Sequence, residues 1–333
     1  MSRGAPRRNP RLDAVLAELA EPLAAGEDRL LEQLAEQGRA TPEGPCVLVV
    51  GAPRSGTTLL VQWLGATGLF GVPSNVMARF SASPGLAARV QSVLFDAELR
   101  YGDQLDDLAA RPSFESDLGK TRGALAPNEF FFFWRRHLDR SDLAPLGDAV
   151  VDGVDWGRVR AELAAIESGL GRPVATKGLM LQYDLPRIAA HLPEALFVFV
   201  RREPFFNAQS LLAARERFHG DRAAWYSTRP PGSDALDERT PFEQVAGQVH
   251  LDRRAIEAGM AQLAPERAIT IDYEDFCADT TGLWSALRER CDGLPAASGA
   301  PGAFDATNRV RLDDVDAGAL REACDRAARG ALV

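Results

Sequence analysis

Short unbroken apolar runs alternate along this chain with longer stretches in which apolar residues recur every three or four positions. Val47–Val50 is one such run, bounded by Gly51, and it reads as a buried strand. Behind it the period changes: Thr57 and Thr58 open a helical spacing carried by Leu59, Leu60, Trp63 and Leu64. Leu196–Val200 repeats the arrangement as a second buried strand, followed by Arg201-Arg202-Glu203-Pro204 and a helix through Ser210 to Arg217. Pro204 stands in the first helical turn, where proline is tolerated. Val174–Lys177 reads as a shorter strand ending in a lysine.

Longer helical patterns run from Leu12 to about Gln37, interrupted at Pro22 and Gly26, and from Phe242 to Leu263. The first carries Leu16, Leu19, Leu30, Leu31 and Leu34 on apolar faces, to pack on the core or against a second copy in a homodimer. Residues 1–40 are read as a basic tail and this helical segment, and residues 41–333 as a single α/β domain. In Phe130-Phe131-Phe132-Phe133-Trp134 the apolar positions point in all directions, so this helix is either well buried or lines an apolar pocket. Before it, Asn128 reads as an N-cap and Glu129 as a first-turn carboxylate favoured by the helix dipole. A loop rich in Arg, Gly, Pro and aromatic residues separates Arg217 from Pro241.

Composition narrows the class. The chain has 333 residues, 46% hydrophobic and 26% charged, enough to bury a sizeable core. Its net charge of −9 argues against a general nucleic-acid binder. The four cysteines show neither metal spacing nor a dense disulfide pattern and read as reduced thiols of a cytoplasmic protein. No apolar run is long enough for a membrane span. The first eleven residues hold Arg3, Arg7, Arg8 and Arg11 with no acid, and read as a disordered, solvated tail.

A strand entering a helix through a glycine-bounded turn offers backbone N–H groups and the positive end of a helix dipole to an anion. Gly51 and Gly56 have the separation of a triphosphate loop, G-x-x-x-x-G-K-[ST], but Thr57 stands at the lysine position and the cation lies within the loop as Arg54. Pro53-Arg54-Ser55-Gly56-Thr57-Thr58 resembles the 5′-phosphosulfate loop of sulfotransferases that use 3′-phosphoadenosine-5′-phosphosulfate (PAPS). The resemblance implies a P-loop, nucleotide-kinase-like fold, a central parallel sheet flanked by helices with helical insertions. It also implies sulfate donation from PAPS, leaving adenosine 3′,5′-bisphosphate, with no metal required.

Arg202 and Ser210 are eight residues apart, as are the Arg and Ser that hold the donor's 3′-phosphate in that family. Asn207 shares a helix face with Ser210. By the same resemblance, Lys177 touches the bridging oxygen of the donor, although Lys177-Gly178-Leu179 matches the family pattern only in part. This chain holds only two lysines, Lys120 and Lys177, against thirty-six arginines. A retained lysine there suits a need for a compact point charge. Ala268–Phe276 resembles the strand ending in Tyr-Glu-Asp that follows, which places Tyr273 either near the adenosine or in buried packing. Thr307-Asn308-Arg309-Val310-Arg311 lies where relatives close a loop over the nucleotide.

An attacking hydroxyl must lose its proton, and a His or a carboxylate is the usual agent. His191 reads as a helix C-terminal cap, and His250 lies in a long helix away from the loops. Glu129, His137 and His219 are the remaining candidates for the base. Glu129 and His137, about 12 Å apart along a helix, could not serve the same proton. The expected site is therefore Arg54, Ser55, Gly56, Thr57, Thr58, Arg202, Ser210 and Tyr273 for the donor, with Lys177, Arg54 and Glu129 or His137 for the chemistry. The acceptor is a small-molecule hydroxyl, of a natural product, phenol or alcohol, or alternatively of a carbohydrate. A nucleotide kinase or NTPase, or a silent nucleotide-binding protein, are the rivals from other classes.

Overall fold

The computed structural model describes residues 9–96, 116–294 and 302–332, with Leu99, Phe114 and Gly299. Arg3, Arg7 and Arg8 of the basic tail lie outside the described residues. In chain order the elements open with α1 (Pro10–Glu36), β1 (Cys46–Val50), α2 (Thr57–Ala66) and α3 (Pro84–Phe95). A small hairpin, β2 (Ser116–Asp117) and β3 (Lys120–Thr121), leads to α4 (Phe131–Leu138), α5 (Asp148–Gly153) and α6 (Trp156–Leu170). Then come β4 (Ala175–Lys177), α7 (Leu185–His191), β5 (Ala195–Arg201) and α8 (Pro204–His219). α9 (Pro241–Met260), β6 (Ala268–Asp272), α10 (Tyr273–Ala278), α11 (Thr281–Arg290) and α12 (Asp314–Ala328) complete the order.

The main sheet runs β4-β1-β5-β6 and every pairing in it is parallel. Parallel strands need crossovers, which put helices on both faces, so the strands are apolar on both sides. Alternation sorts them. Leu48, Val50, Phe197 and Phe199 face a core with Phe130, Phe133 and Trp134. Val47, Val49, Val198 and Val200 face the opposite core, with Trp63, Leu64 and Phe276.

The Phe130–Trp134 run is thereby settled as core: Phe130, Phe133 and Trp134 are fully buried, and Phe130 stacks on Phe133 with centroids 4.5 Å apart. Its boundary differs from the expected one. α4 starts at Phe131, with Phe130 in the left-handed region (φ 61°) as its N-cap. Asn128 does not cap it; Asn128 Oδ1 accepts the Phe130 N–H at 3.0 Å in a local turn that precedes the helix. Glu129 is therefore held on a turn, outside the helix.

Helix α1 differs in the other direction, running unbroken through Pro22 and Gly26 and taking in Arg11. Proline removes one intrahelical hydrogen bond, and anchors elsewhere hold the helix together. Asn9 caps its start, its side chain accepting the Leu12 N–H at 3.3 Å. Buried Glu27 in turn accepts the N–H groups of Gly85 (2.7 Å) and Leu86 (3.0 Å) at the start of α3. Glu203 and Thr240 cap α8 and α9 in the same way, Thr240 within a reciprocal capping box with Glu243. No described helix is long and apolar enough to cross a membrane.

Candidate active site

The sheet register brings the sequence motifs to one edge. Val49 pairs with Lys177, Val50 with Phe199, and Arg201 with Asp272. The loop after β1, the end of β4, the β5–α8 junction and the start of α10 thus meet beyond the carboxyl ends of the strands. The order reverses there, with β4 on one side of β1 and β5 on the other, the place where open α/β sheets bind ligands. A cleft of about 990 Å³ opens at this point, and its lining includes Arg54, Gly56, Thr57, Thr58, Lys177, Glu129, Arg202, Ser210 and Tyr273.

The loop 51–56 leaves the start of α2 open to the cleft. Gly56, at φ 107°, is the N-cap of α2, and no side chain caps that helix. A Cβ at Gly56 would stand 2.4 Å from Cδ2 of Tyr273, so the Tyr273 ring lies directly against the loop. Arg54 is held in the left-handed region at φ 71°. The loop's carbonyls are tied from outside: Asn207 Nδ2 donates to the Pro53 carbonyl at 2.5 Å, and Arg202 Nη1 to the Arg54 carbonyl at 2.9 Å. Ser55 Oγ is buried with no hydrogen-bond partner among the described residues, a group that costs stability unless something binds it.

The two anion motifs are adjacent. Arg54 Nε donates to Ser210 Oγ at 3.2 Å, so Ser210 is reached by the loop arginine, and Arg202 takes other partners. Arg202 Nε and Nη2 donate to Asn308 Oδ1 at 3.0 and 2.7 Å, and Nη2 also reaches Thr307 Oγ1 at 3.2 Å. Its guanidinium lies 4.7 Å from the centre of the Tyr273 ring, and burial pulls its pKa below the ordinary arginine value. Segment 307–311 is also tied to α8, where Gln209 Nε2 donates to the Arg309 carbonyl at 2.9 Å and Gln209 Oε1 accepts the Arg311 N–H at 2.8 Å. The segment that the sequence placed over the nucleotide lies across Arg202.

At the other end, Lys177 is buried and donates to Thr58 Oγ1 at 2.8 Å and to Glu129 Oε1 at 2.9 Å. This triangle joins the anion helix, the β4 tip and the turn before α4. Positive-φ backbone concentrates around it. Five described non-glycine residues adopt it: Arg54, Leu118, Phe130, Asp139 and Ser227. Arg54, Leu118 and Ser227 line the cleft, and Phe130 follows Glu129. Strain of this kind costs of order 1–3 kcal/mol per residue and gathers where geometry serves a ligand.

The histidines fall elsewhere. His137 Nε2 is 2.8 Å from the buried Glu162 Oε2, and its ring packs on Phe133, so it is not brought to the cleft as a base candidate. Glu162 also pairs with Arg136 and Arg158, a buried carboxylate that occupies this end of α4. His191 stacks on Trp156 with centroids 5.0 Å apart, and exposed His219 lies beside Tyr226 at 6.0 Å. None of the four histidines lines the cleft. Sequence reasoning also missed the Gln182–Asp252 pair under the loop, because buried polar contacts between distant segments leave no local pattern.

The family model described as the Sulfotransferase family matches residues 45–296, and the chain belongs to that family. No match was found among curated protein sequences. Among solved structures, STF9 of Mycobacterium avium, a sulfotransferase, is 14% identical, covering 86% of this chain and 74% of its own, with a TM-score of 0.49. The sulfotransferase STF1 of Mycobacterium tuberculosis H37Rv is 17% identical over 83% and 73%, with a TM-score of 0.48. The sulfotransferase domain of the curacin biosynthetic pathway is 14% identical over 87% and 97%, with a TM-score of 0.41.

Proposed function

We propose that this sulfotransferase uses PAPS as its donor and transfers the sulfuryl group to a hydroxyl of a small-molecule acceptor. The observation that carries the reading is the Thr58–Lys177–Glu129 triangle at the mouth of an uncapped, glycine-started helix. The donor's fit rests on the same place: an unsatisfied buried Ser55 hydroxyl, Arg54 in contact with Ser210, Arg202 tied to the Arg54 carbonyl, and no lysine at position 57 for triphosphate chemistry. PAPS supplies a sulfuryl group already activated on a phosphate leaving group.

The residues divide the work. The N–H groups opening α2, with Thr57 and Thr58, bind the 5′ end, and Arg202 and Ser210 bind the 3′-phosphate. Tyr273, against Gly56 and under Arg202, borders the nucleoside. Glu129 accepts the acceptor's proton, as the carboxylate that lines the cleft and reaches Lys177. Lys177 and Arg54 oppose the negative charge that develops on the leaving oxygens. The protein works in a reducing compartment such as the cytoplasm, where four free cysteines, three of them buried, are stable.

The test is thermal stabilisation of the intact chain by adenosine 3′,5′-bisphosphate compared with Mg-ATP. Preferential stabilisation by the bisphosphate, followed by acceptor-dependent turnover of PAPS that Glu129→Gln abolishes, is the expected result. Preference for Mg-ATP identifies a kinase or NTPase instead. Bisphosphate binding without transfer to any hydroxyl identifies a silent binder.

A further inference from the structure

The cleft extends well beyond the anion loop. Phe206, Ser210, Ala213 and Arg217 all line it, at helical spacing on one face of α8, so the cleft follows that helix for ~16 Å. Ser210 lies at the donor end, in contact with Arg54. Ala213, Glu216 and Arg217 lie one and two turns further on. Across from them runs the strap between α8 and α9, which contributes Arg222, Tyr226 and Ser227 to the lining.

Tyr226 lines the same cleft as Glu129, Arg54 and Glu216. Burial pushes its phenol pKa up, the Glu129 carboxylate pushes it further, and Arg54 opposes both. Phe218 stacks behind it at 5.4 Å, and the Lys120 ammonium from the β2–β3 hairpin sits 4.1 Å over Phe218. At the end of the arm Arg222 donates to Asp316 at 2.7 Å and to Glu216 at 3.4 Å. The aromatic run before Arg135 adds nothing to these walls, because Phe130, Phe133 and Trp134 are in the core.

The strap is fixed from beneath. Thr228 Oγ1 donates to Asp252 Oδ2 at 2.9 Å, and Gln248 Nε2 donates to the carbonyls of Thr228 (2.7 Å) and Tyr226 (3.0 Å). Asp252 also accepts from Gln182 at 3.4 Å, and Gln182 Oε1 accepts the Gly51 N–H at 3.3 Å. These four side chains are completely buried. A hydrogen-bonded chain therefore links the first residue of the anion loop to the wall that carries Tyr226, and a fully satisfied buried network of this kind holds one geometry.

The phenol of Tyr226 and the guanidinium of Arg222 on the strap, with the Glu216 carboxylate of α8 paired to Arg222, match a molecule that presents several hydroxyls. A site built from such groups rejects analogues that leave them unpaired. We propose that Tyr226 and Glu216 select the acceptor, and that the acceptor is a polyhydroxylated, carbohydrate-like compound sulfated on the hydroxyl nearest Glu129. This inference rests on the sulfotransfer reading and gives it a substrate class.

Three measurements on the intact chain test it: calorimetric binding of adenosine 3′,5′-bisphosphate, PAPS turnover with glucose, maltose and myo-inositol against 4-nitrophenol and 2-naphthol, and the same assays on Tyr226→Phe and Glu216→Gln. The expected result is a kcat/KM at least about tenfold higher for a polyol than for either phenol. Each variant should raise the polyol KM about tenfold while leaving bisphosphate affinity within about twofold. Phenols matching the polyols, no polyol turned over, or both variants keeping the parental KM overturns the acceptor class while bisphosphate binding still upholds the donor site. Failure to bind the bisphosphate overturns the sulfotransfer reading and this inference together.

Discussion

Gly56 and Lys177 carry opposite kinds of constraint. Gly56 is required by shape: it has a positive φ and the Tyr273 ring where a Cβ would stand. Gly56→Ala should destabilise the fold by about 1–3 kcal/mol and weaken bisphosphate binding, read by urea unfolding and calorimetry. An unchanged midpoint would mean that Tyr273 yields freely. Lys177 is constrained by charge, bridging Thr58 and Glu129 from a buried position. Lys177→Ala and Arg54→Ala should each lower turnover ~10²–10³-fold while near-UV circular dichroism stays native. Near-normal turnover in both would remove them from the chemistry. The placement of these residues on one cleft was legible because their motifs are local, a loop of six and a strand tip. His137 was not, since its burial against Glu162 depends on a helix 25 residues away.

Among the elements, α8 does the most to organise the cleft. Its first turn is capped by Glu203, Asn207 holds the Pro53 carbonyl, and Phe206, Ser210, Ala213 and Arg217 on one face line the cleft. Asn207→Ala leaves a buried carbonyl unpaired, which should cost about 1–3 kcal/mol and weaken bisphosphate affinity more than acceptor KM. Equal effects on both would show that the loop does not depend on this bond. Strands β1 and β5 and helix α9 could be read from apolar period alone. The start of α4 could not, because the Asn128 turn competes with the helix for the same backbone, and continuity of α1 through Pro22 is upheld by contacts such as that of Glu27 with α3.

Across the molecule, stability is coupled to pH through Asp252. Burial raises its pKa from 3.8 to about 7, although Tyr183, Thr228 and Gln182 all donate to it. The folded chain therefore binds this proton more tightly than the unfolded one. Its contribution is complete below about pH 4 and is lost as pH rises toward 7, so stability falls across that window. Urea unfolding at pH 5 and 7.5 should show this loss in the parent chain and a smaller one in Asp252→Asn. The same slope in both would place the titration elsewhere.

Taken by itself, the order of residues already specified a parallel α/β sheet, a glycine-bounded turn between β1 and α2, and an arginine and a serine eight residues apart after β5. Those features depend on neighbours a few positions apart, where steric and hydrogen-bonding preferences act directly. Which carboxylate meets Lys177, where Arg202 spends its donors and what faces the acceptor depend on segments more than a hundred residues apart or separated by whole helices. Such pairings are selected by burial and packing of the complete chain, and they exist only once the two cores have closed on either side of the sheet.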